Sequence, residues 1–322
     1  VTFTWMMNPN GDRTLINFMR DRMMPEVSSI LRNKYSTLNC FYGEFIDQKN
    51  YEQGWISYAS EPRYFSNYVG LRNRFSILNE NYVYADYKSR VLGCYNLISS
   101  LVDYSSANKD ELKRLTADAD AKTLRIGTSS VDSFAVKYTG VPTPEKVTIL
   151  TYEAEPYTDE NGRERFRKTE RKRTVTVPYI ADYVSTQSIA YPYAYILTIN
   201  DPDVSRVLKT QGLKFEFLKD SVTLEVEQFN IDSLKHITRL NQGHYTNNVF
   251  GKYVTTMVKF SKGSLVVKTS QPLGRLASYL LEPQSDDDLL YWNYFDKYLV
   301  PQWGSYFYSV PVYRVMKADD RL

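Results

Sequence analysis

The chain has 322 residues, of which 43% are hydrophobic and 24% are charged, and its formal net charge is +3. This composition excludes a disordered chain, the near-neutral charge gives no reason to expect a nucleic-acid partner, and no apolar run reaches the roughly 18 residues of a membrane span. The length is sufficient for two domains of ordinary size.

Residues 1–124 alternate between helical patterns and short buried runs. The predicted elements are, in chain order, a strand at Val1–Met7, a turn at Asn8–Asp12, a helix at Arg13–Tyr35 capped by Asp12 and interrupted by Pro25, a buried run at Phe75–Leu78, and helices at about Asp86–Tyr104 and Lys109–Ala121. The helix at about Asp86–Tyr104 places Val91, Tyr95, Ile98 and Val102 on one face. This alternation predicts part of an α/β sheet, and we assign residues 1–124 to a first domain.

The pattern changes near Leu124. From there the chain has many short alternating runs separated by turn residues, including Thr139–Pro142 and Asp159–Gly162. This spacing predicts a β-sandwich or a related β-rich domain over residues 125–322. The 28 tyrosines and the 15% aromatic content fit such β-rich packing, with carbohydrate sites or partner interfaces as the alternatives.

Two helices and one charged run stand out in this second part. Asp201 is a predicted N-cap, Pro202 suits the first helical position, and Gly212 ends that helix. A last helix is expected to start at Pro272. The basic run Arg163–Arg173 also contains glutamates, and we predict a solvated hairpin there and not a phosphate-binding patch.

The usual metal-binding motifs are missing from the sequence. It has no His-x-x-Glu, no His-Glu-x-x-His and no Cys-x-x-Cys. The histidines are His236 and His244, and we expect structural or surface roles for both. Two cysteines, Cys40 and Cys94, do not make a disulfide framework, and a single bridge between them stays open.

The acidic stretch near the C-terminal end contains Glu282 and Asp286–Asp288. Its spacing lacks the alternating ligands and the glycine of a calcium-binding loop. We therefore predict a helix C-terminus followed by a polar turn.

One carboxylate, Glu80, follows a predicted buried strand. Ligand sites form at the carboxyl ends of strands in open α/β sheets, and a carboxylate partly withdrawn from water there can act as a general base. The alternative is a structural ion pair of Glu80 with Arg72 or Arg74. Spacing alone favours the ion pair, because lone carboxylates are rarely catalytic.

Four stretches of the chain, in order, resemble zinc metallocarboxypeptidases of the carboxypeptidase A type, in particular a bacterial subgroup with a β-rich C-terminal extension. The region around the catalytic glutamate of that family is similar to PRYFSNYVGLRNRFSILNENYVYADYKSRV. The other stretches are LINFMRDRMMPEV near the start, YPYAYILTINDPDVSRVLKTQGLKFEFL in the β-rich middle, and Gly263–Asp296 in the C-terminal extension. The resemblance covers most of the chain.

The resemblance implies a specific chemistry. In that family a zinc ion activates a water molecule, a glutamate removes its proton, and the hydroxide attacks the C-terminal peptide bond. Glu80 falls in the place of that glutamate. The family's zinc ligands are absent from the sequence, and the resemblance implies that Val1 comes just after the position where the third ligand would stand. The resemblance leaves Tyr68, Arg72 and Arg74 as candidates for a substrate pocket, with packing and ion pairing as their alternative roles.

The fold class we expect is therefore α/β plus β: the C-terminal part of a mixed α/β carboxypeptidase sheet, followed by a β-sandwich-like domain with a few helices. By the same resemblance the parent enzyme is secreted or periplasmic, acts on the C-terminus of a peptide or protein, and carries zinc. This chain alone is expected to be inactive and to need the upstream segment of the catalytic domain. The alternative is a non-catalytic peptide- or glycan-binding module on an α/β scaffold.

Overall fold

The computed structural model describes residues 1–130 and 132–322. The helices are α1 (Arg13–Phe18), α2 (Met24–Asn33), α3 (Phe65–Leu71), α4 (Tyr87–Ala107), α5 (Lys109–Ser129), α6 (Pro202–Thr210), α7 (Gly274–Leu281) and α8 (Asp296–Leu299), with a π-helical turn at Met19–Met23 and a 3₁₀ turn at Tyr51–Gln53. The strands are β1 (Thr2–Trp5), β2 (Cys40–Phe41), β3 (Glu44–Phe45), β4 (Trp55–Ile56), β5 (Ile77–Glu80), β6 (Ser133–Pro142), β7 (Val147–Thr158), β8 (Glu164–Val177), β9 (Tyr179–Ala190), β10 (Ala194–Leu197), β11 (Glu216–Phe217), β12 (Val222–His236), β13 (Asn247–Phe260), β14 (Leu265–Lys268) and β15 (Val312–Val315). Within the described residues, no helix has the length and apolarity needed to cross a bilayer.

The first long helix begins where the sequence predicts. The Asp12 carboxylate accepts hydrogen bonds from the backbone N–H groups of Thr14 and Leu15, which would otherwise lack a partner. The predicted interruption takes the form of a π turn, in which the Met24 N–H bonds the Met19 carbonyl five residues back. This turn directly precedes Pro25, which has no N–H to donate.

Two small sheets carry the first part of the fold. In the sheet β2-β1-β5, β1 is parallel to β2 and antiparallel to β5, so that Thr2 lies opposite Glu80. In the sheet β3-β4-β9-β6, the short strands β3 and β4 join the long strands β9 and β6, which come much later in the chain. The first hydrophobic core also takes side chains from both regions, because Phe3 and Trp5 share it with Val175 and Val177.

A six-stranded sheet, in the order β11-β14-β10-β15-β12-β13, carries the second part. All of its pairings are antiparallel. Tyr195 and Leu197 point to the face covered by α6 and α7, whereas Ala194 and Ile196 point to a second core on the opposite face. This alternation is the period of two that a strand buried on both faces requires.

The expected fold class of mixed α/β followed by β-rich structure is confirmed at this coarse level. The sandwich arrangement of the second part stays a prediction, and so does the division into 1–124 and 125–322. The helix α5 runs through position 124, and β6 and β9 join β3 and β4 in one sheet across that boundary.

Predicted local features differ in their outcome. The turn predicted at Thr139–Pro142 is wrong, because these residues continue β6 and pair with β9. The turn at Asp159–Gly162 is present and joins β7 to β8, with Gly162 at a φ of 74°. The basic run lies on the exposed strand β8 of this hairpin, where Arg165, Arg167 and Arg171 form ion pairs with carboxylates of the same hairpin.

The helix α5 passes very close to the chain that follows β14. A Cβ atom on Gly127 would lie 2.3 Å from the backbone nitrogen of Ser270 and 2.3 Å from the carbonyl carbon of Thr269. Both neighbours are backbone atoms and cannot rotate away. Gly127 is therefore required by packing and not by its backbone angles.

Replacing Gly127 with Ala is expected to lower the free energy of unfolding by about 1–3 kcal/mol, because the added methyl group overpacks this contact. In an exposed helix the same change raises stability by up to about 1 kcal/mol, so the sign of the effect identifies the contact. Urea unfolding measures it. The control Thr128→Ala, at an exposed position of the same turn, should change stability by less than about 0.5 kcal/mol. Equal or greater stability of Gly127→Ala contradicts the close packing.

Candidate functional site

Glu80 ends β5 and is exposed to solvent. The strand holds it in place through its pairing with β1, and the Thr2 hydroxyl donates a hydrogen bond of 2.9 Å to the Glu80 carbonyl. Two expectations about Glu80 are corrected. Its carboxylate is exposed and not partly withdrawn from water, and its strand is antiparallel to β1, so that it lies beside the amino ends of β1 and β2.

The Glu80 carboxylate lies close enough to Tyr42 to act on its hydroxyl group. Burial raises the pKa of Tyr42, and the negative charges of Glu80 and Glu44 raise it further. Glu80 therefore acts electrostatically on the Tyr42 hydroxyl. Among the described residues, Glu80 forms no ion pair.

The ion pair that spacing favoured for Glu80 is wrong, because both arginines bind other groups. The Arg72 guanidinium donates to the Tyr68 hydroxyl at 2.9 Å and to the Gln211 carbonyl at 2.9 Å. Arg74 makes a bidentate ion pair with Asp120, in which each of the two N–O distances is 3.0 Å. Tyr68, Arg72 and Arg74 are therefore not gathered around Glu80.

The described residues do not offer a zinc site. They contain no cluster of three or more histidine, cysteine, aspartate or glutamate side chains arranged to hold a metal ion. His244 bonds Asn293 and packs edge-on against Trp292. The two cysteines, Cys40 and Cys94, are free thiols.

A second candidate site is a cavity of about 270 Å³ between α3, α6 and α7. Of the pocket residues predicted from the sequence, Tyr68 lines it. We call its aliphatic lining the floor and its aromatic and polar lining the rim. The lining residues are Pro62, Arg63, Tyr68, Val207, Gln211, His244, Leu276, Tyr279, Leu280, Asp287, Leu289, Trp292 and Tyr294. Sequence reasoning missed this cavity, because its walls come from segments that are more than two hundred positions apart, as Arg63 and Asp287 are.

Arg63 and Asp287 form the charged wall of this cavity. The Asp287 carboxylate accepts from the backbone N–H of Arg63 at 2.8 Å, from the Arg63 side chain, and from the Trp292 indole at 3.0 Å. The guanidinium of Arg63 also lies over the rings of Tyr291 and Trp292. Burial raises the pKa of Asp287 to about 6, although the charge of Arg63 opposes that shift.

The acidic stretch forms the polar turn that the sequence predicts. It follows the C-terminus of α7 as expected, but Glu282, Asp287 and Asp288 are buried. Glu282 accepts hydrogen bonds from Tyr195 and Tyr253, each at 2.6 Å, and Asp286 accepts from Tyr138 and Tyr279. Asp287 accepts from Arg63 and Trp292, and Asp288 accepts from the backbone N–H groups of Leu290 and Tyr291. These partners satisfy the carboxylates, so the acidic turn is part of the interior.

Part of the chain is similar to fungal carboxypeptidases. "Carboxypeptidase 2" of Trichophyton rubrum is 32% identical over 96 residues, which is 30% of this chain and 18% of that protein. The same name and figures apply to a protein of Trichophyton equinum. "Probable carboxypeptidase 2" of Arthroderma benhamiae is 32% identical over 107 residues, covering 33% of this chain and 20% of that protein.

The alignments cover only part of this chain and part of each relative. The chain spans 18% to 20% of the length of these relatives. No family model and no solved structure matches it. The matched stretch is thus carboxypeptidase-like, whereas the zinc chemistry and the bacterial subgroup stay predictions, and the relatives found are fungal.

Asp287 is expected to make the protein less stable as the pH rises from about 4 to about 6. Its folded pKa of about 6 lies above the unfolded value of roughly 3.9, so in this window the folded chain keeps a proton that the unfolded chain has lost. The unfolding free energy then falls by on the order of 3 kcal/mol as the pH rises through the window.

Urea unfolding of the parent chain and of Asp287→Asn at pH 4, 5, 6 and 7 measures this contribution. Burial also raises the pKa of other acids, such as Glu282 and Asp288. The difference in unfolding free energy between the two chains therefore isolates the contribution of Asp287. Asp220→Asn, at an exposed turn, is the control and should keep the slope of the parent chain. A slope that Asp287→Asn leaves unchanged rules out the shifted carboxyl.

Proposed function

We propose that the protein is a zinc-dependent carboxypeptidase that removes residues from the C-terminus of peptides or proteins, with Glu80 as the general base. The observation that carries this proposal is the similarity to fungal carboxypeptidases. The resemblance of the sequence around Glu80 to the catalytic region of such enzymes supports it further. Secretion or a periplasmic location belongs to the proposal through the same resemblance.

The surroundings of Glu80 support the proposed role. A general base must have a free carboxylate oxygen within reach of the water molecule whose proton it accepts. Glu80 is exposed, stands at a fixed strand end and is not neutralised by Arg72 or Arg74. Zinc would supply the activation of that water.

The substrate-binding roles suggested for the two arginines have little support. Arg72 and Arg74 are already engaged with Tyr68 and Asp120, and a substrate carboxylate would have to displace these partners. We therefore propose that the group that holds the substrate carboxylate lies in the upstream segment, together with the zinc ligands.

Replacing Glu80 with Gln in the complete gene product is expected to lower turnover of N-blocked dipeptides by roughly 10²- to 10⁴-fold, because the amide cannot accept the proton. Release of the free C-terminal amino acid measures the effect. The stability of Glu80→Gln should be close to that of the parent protein, because the side chain is exposed.

The matched control is Glu44→Gln. It removes the same charge from another exposed carboxylate that acts on Tyr42, and it should leave turnover within about twofold. Full turnover in Glu80→Gln contradicts the proposed role of Glu80. A complete gene product that releases no C-terminal residue at all, in the presence of zinc, contradicts the carboxypeptidase proposal itself.

We further propose that an upstream segment of the same domain covers the outer face of α4. The stripe of Val91, Tyr95, Ile98 and Val102 on this helix is 47% to 65% exposed, although its spacing is that of a buried helix face. The neighbouring strand β5 pairs with β1 on one side and leaves its other edge open among the described residues. Apolar helix faces and open strand edges of this size are normally covered.

Substitutions on this face should separate the chain alone from the complete gene product. Ile98→Ser is expected to change the stability of the 322-residue chain by less than about 0.5 kcal/mol, and to lower that of the complete product by about 2–4 kcal/mol, since the residue is then buried. Thermal and urea unfolding of both proteins provide the comparison. Leu97→Ala, on the buried face of α4, should destabilise both. Equally small effects of Ile98→Ser in both proteins argue against the covering segment.

A non-catalytic binding role has one observation in its favour, which is the cavity lined by Tyr68 and Trp292. The test with Glu80→Gln separates the two functions, because a binding module would keep its ligand affinity and would show no turnover to lose.

A further inference from the structure

We propose that the cavity between α3, α6 and α7 binds one large apolar side chain of a peptide and that its rim binds the main-chain amide beside that side chain. The proposal rests on the proposed function in one respect, the choice of a peptide as the ligand class. It concerns a site other than Glu80 and does not require hydrolysis.

The floor of the cavity suits an apolar group of limited size. Val207, Leu276, Leu280 and Leu289 supply aliphatic carbon, and Tyr294 supplies an aromatic wall. The volume of about 270 Å³ lies just below the range of roughly 300–1,000 Å³ that small-molecule sites occupy. One phenylalanine, leucine or tryptophan side chain is therefore a better match than an extended apolar ligand.

The hydrogen bonds around Tyr68 leave a free donor at the rim. Arg72 donates to the Tyr68 hydroxyl oxygen, so the hydroxyl hydrogen is directed at Gln211 at 2.6 Å. The Gln211 atom that receives it must be the carbonyl oxygen Oε1. The Gln211 amide nitrogen Nε2 therefore points away from Tyr68, and its two hydrogens are available to a ligand in the cavity.

The contacts of His244 leave a free acceptor at the same rim. The Asn293 side-chain nitrogen donates to the Tyr245 carbonyl and to Asp296, which fixes the Asn293 oxygen toward His244 at 3.1 Å. The ring nitrogen Nδ1 of His244 must then carry the hydrogen. In the neutral ring, Nε2 has a lone pair and can accept a hydrogen bond.

One donor and one acceptor above an apolar floor match a peptide better than the alternatives. A main-chain amide presents one C=O group to Gln211 and one N–H group to His244, while its side chain enters the cavity. An anion is disfavoured, because the Asp287 carboxylate already neutralises Arg63. A sugar carries several hydroxyl groups, and this floor would leave most of them without partners.

The cavity and Glu80 lie at opposite ends of β1. Glu80 is opposite Thr2 at the start of the strand, whereas Asn8, beyond its end, contacts the hydroxyl of the cavity residue Tyr279 at 3.3 Å. The strand Thr2–Trp5 alone spans about 10 Å. A peptide side chain in the cavity is thus a second contact, separate from the carboxylate proposed as the base.

The test is fluorescence anisotropy at pH 7.5 with the 322-residue chain and the peptide Gly-Gly-Phe-Gly-Gly, labelled with fluorescein at its N-terminus and amidated at its C-terminus. The amide blocks carboxypeptidase action, so binding is measured without turnover. We expect the Phe peptide to bind at least about tenfold more tightly than the same peptide with Ala at the centre, because only the phenyl ring buries apolar area in the cavity.

Two substitutions locate the site. Gln211→Glu keeps the acceptor for Tyr68 and replaces the free donor with an acceptor, and Val207→Phe fills the cavity from a half-buried position on α6. Each should weaken binding of the Phe peptide by about tenfold or more. The control Gln187→Glu makes the same charge change at an exposed position of β9 and should leave affinity unchanged. Glu80→Gln should also bind the blocked peptide normally.

Equal affinities for the Phe and Ala peptides overturn the apolar cavity as a side-chain site. Unchanged affinity in Val207→Phe and Gln211→Glu overturns its location. Tight binding of the blocked Phe peptide by the 322-residue chain, together with no carboxypeptidase turnover by the complete gene product, supports the cavity and counts against the proposed enzyme, so the two proposals fail separately.

Discussion

The buried turn Asn8–Asp12 ties together segments that are far apart in the chain. The Asn10 side chain exchanges two hydrogen bonds with the backbone of Ala135, at 2.9 Å and 2.8 Å, as a paired strand residue would. The Asn10 carbonyl accepts from Arg275 at 3.0 Å, and the Asn8 side chain donates to the Ser60 carbonyl at 2.8 Å and to the Tyr279 hydroxyl. The turn that follows β1 is thus bonded directly to β6 and α7.

Such a buried polar turn has to be satisfied completely, because each unpaired polar group in the interior costs stability. Asparagine is suited to this position, since its amide offers both a donor and an acceptor to the backbone of another element. The same turn provides Asp12, which caps α1 and pairs with Lys122 of α5. The positions of α1, α5, β6 and α7 relative to β1 therefore depend on one short segment.

The sequence was informative where structure depends on neighbouring residues. The cap at Asp201, the start of α6 at Pro202 and the end of the helix near Gly212 follow from local backbone requirements, and all three are present. The stripe on α4 was also found from its spacing. Its exposure was not, because spacing identifies a face and does not say whether another element covers it.

The sequence was uninformative where distant segments meet. The turn Asn8–Asp12 was recognised, but its burial was not, since turns are normally found on the surface. The polar turn that contains Glu282 was predicted, but its burial was not, because the tyrosines that bond Glu282 lie on distant strands. Nothing in the sequence spacing indicates that Arg63 would pair with Asp287 and build a cavity wall.

Glu80 and the exposed face of α4 belong to neighbouring elements of the chain. The strand β5 ends at Glu80, and α4 begins at Tyr87 after a short loop whose residues Tyr82 and Tyr84 are also exposed. A segment that covers the α4 face and pairs with the open edge of β5 would lie next to Glu80 and remove part of its water. Partial loss of water is the condition under which a carboxylate becomes a stronger base. The proposed chemistry of Glu80 and the proposed covering segment therefore depend on each other, whereas the cavity at the far end of β1 is formed by described residues of α3, α6 and α7.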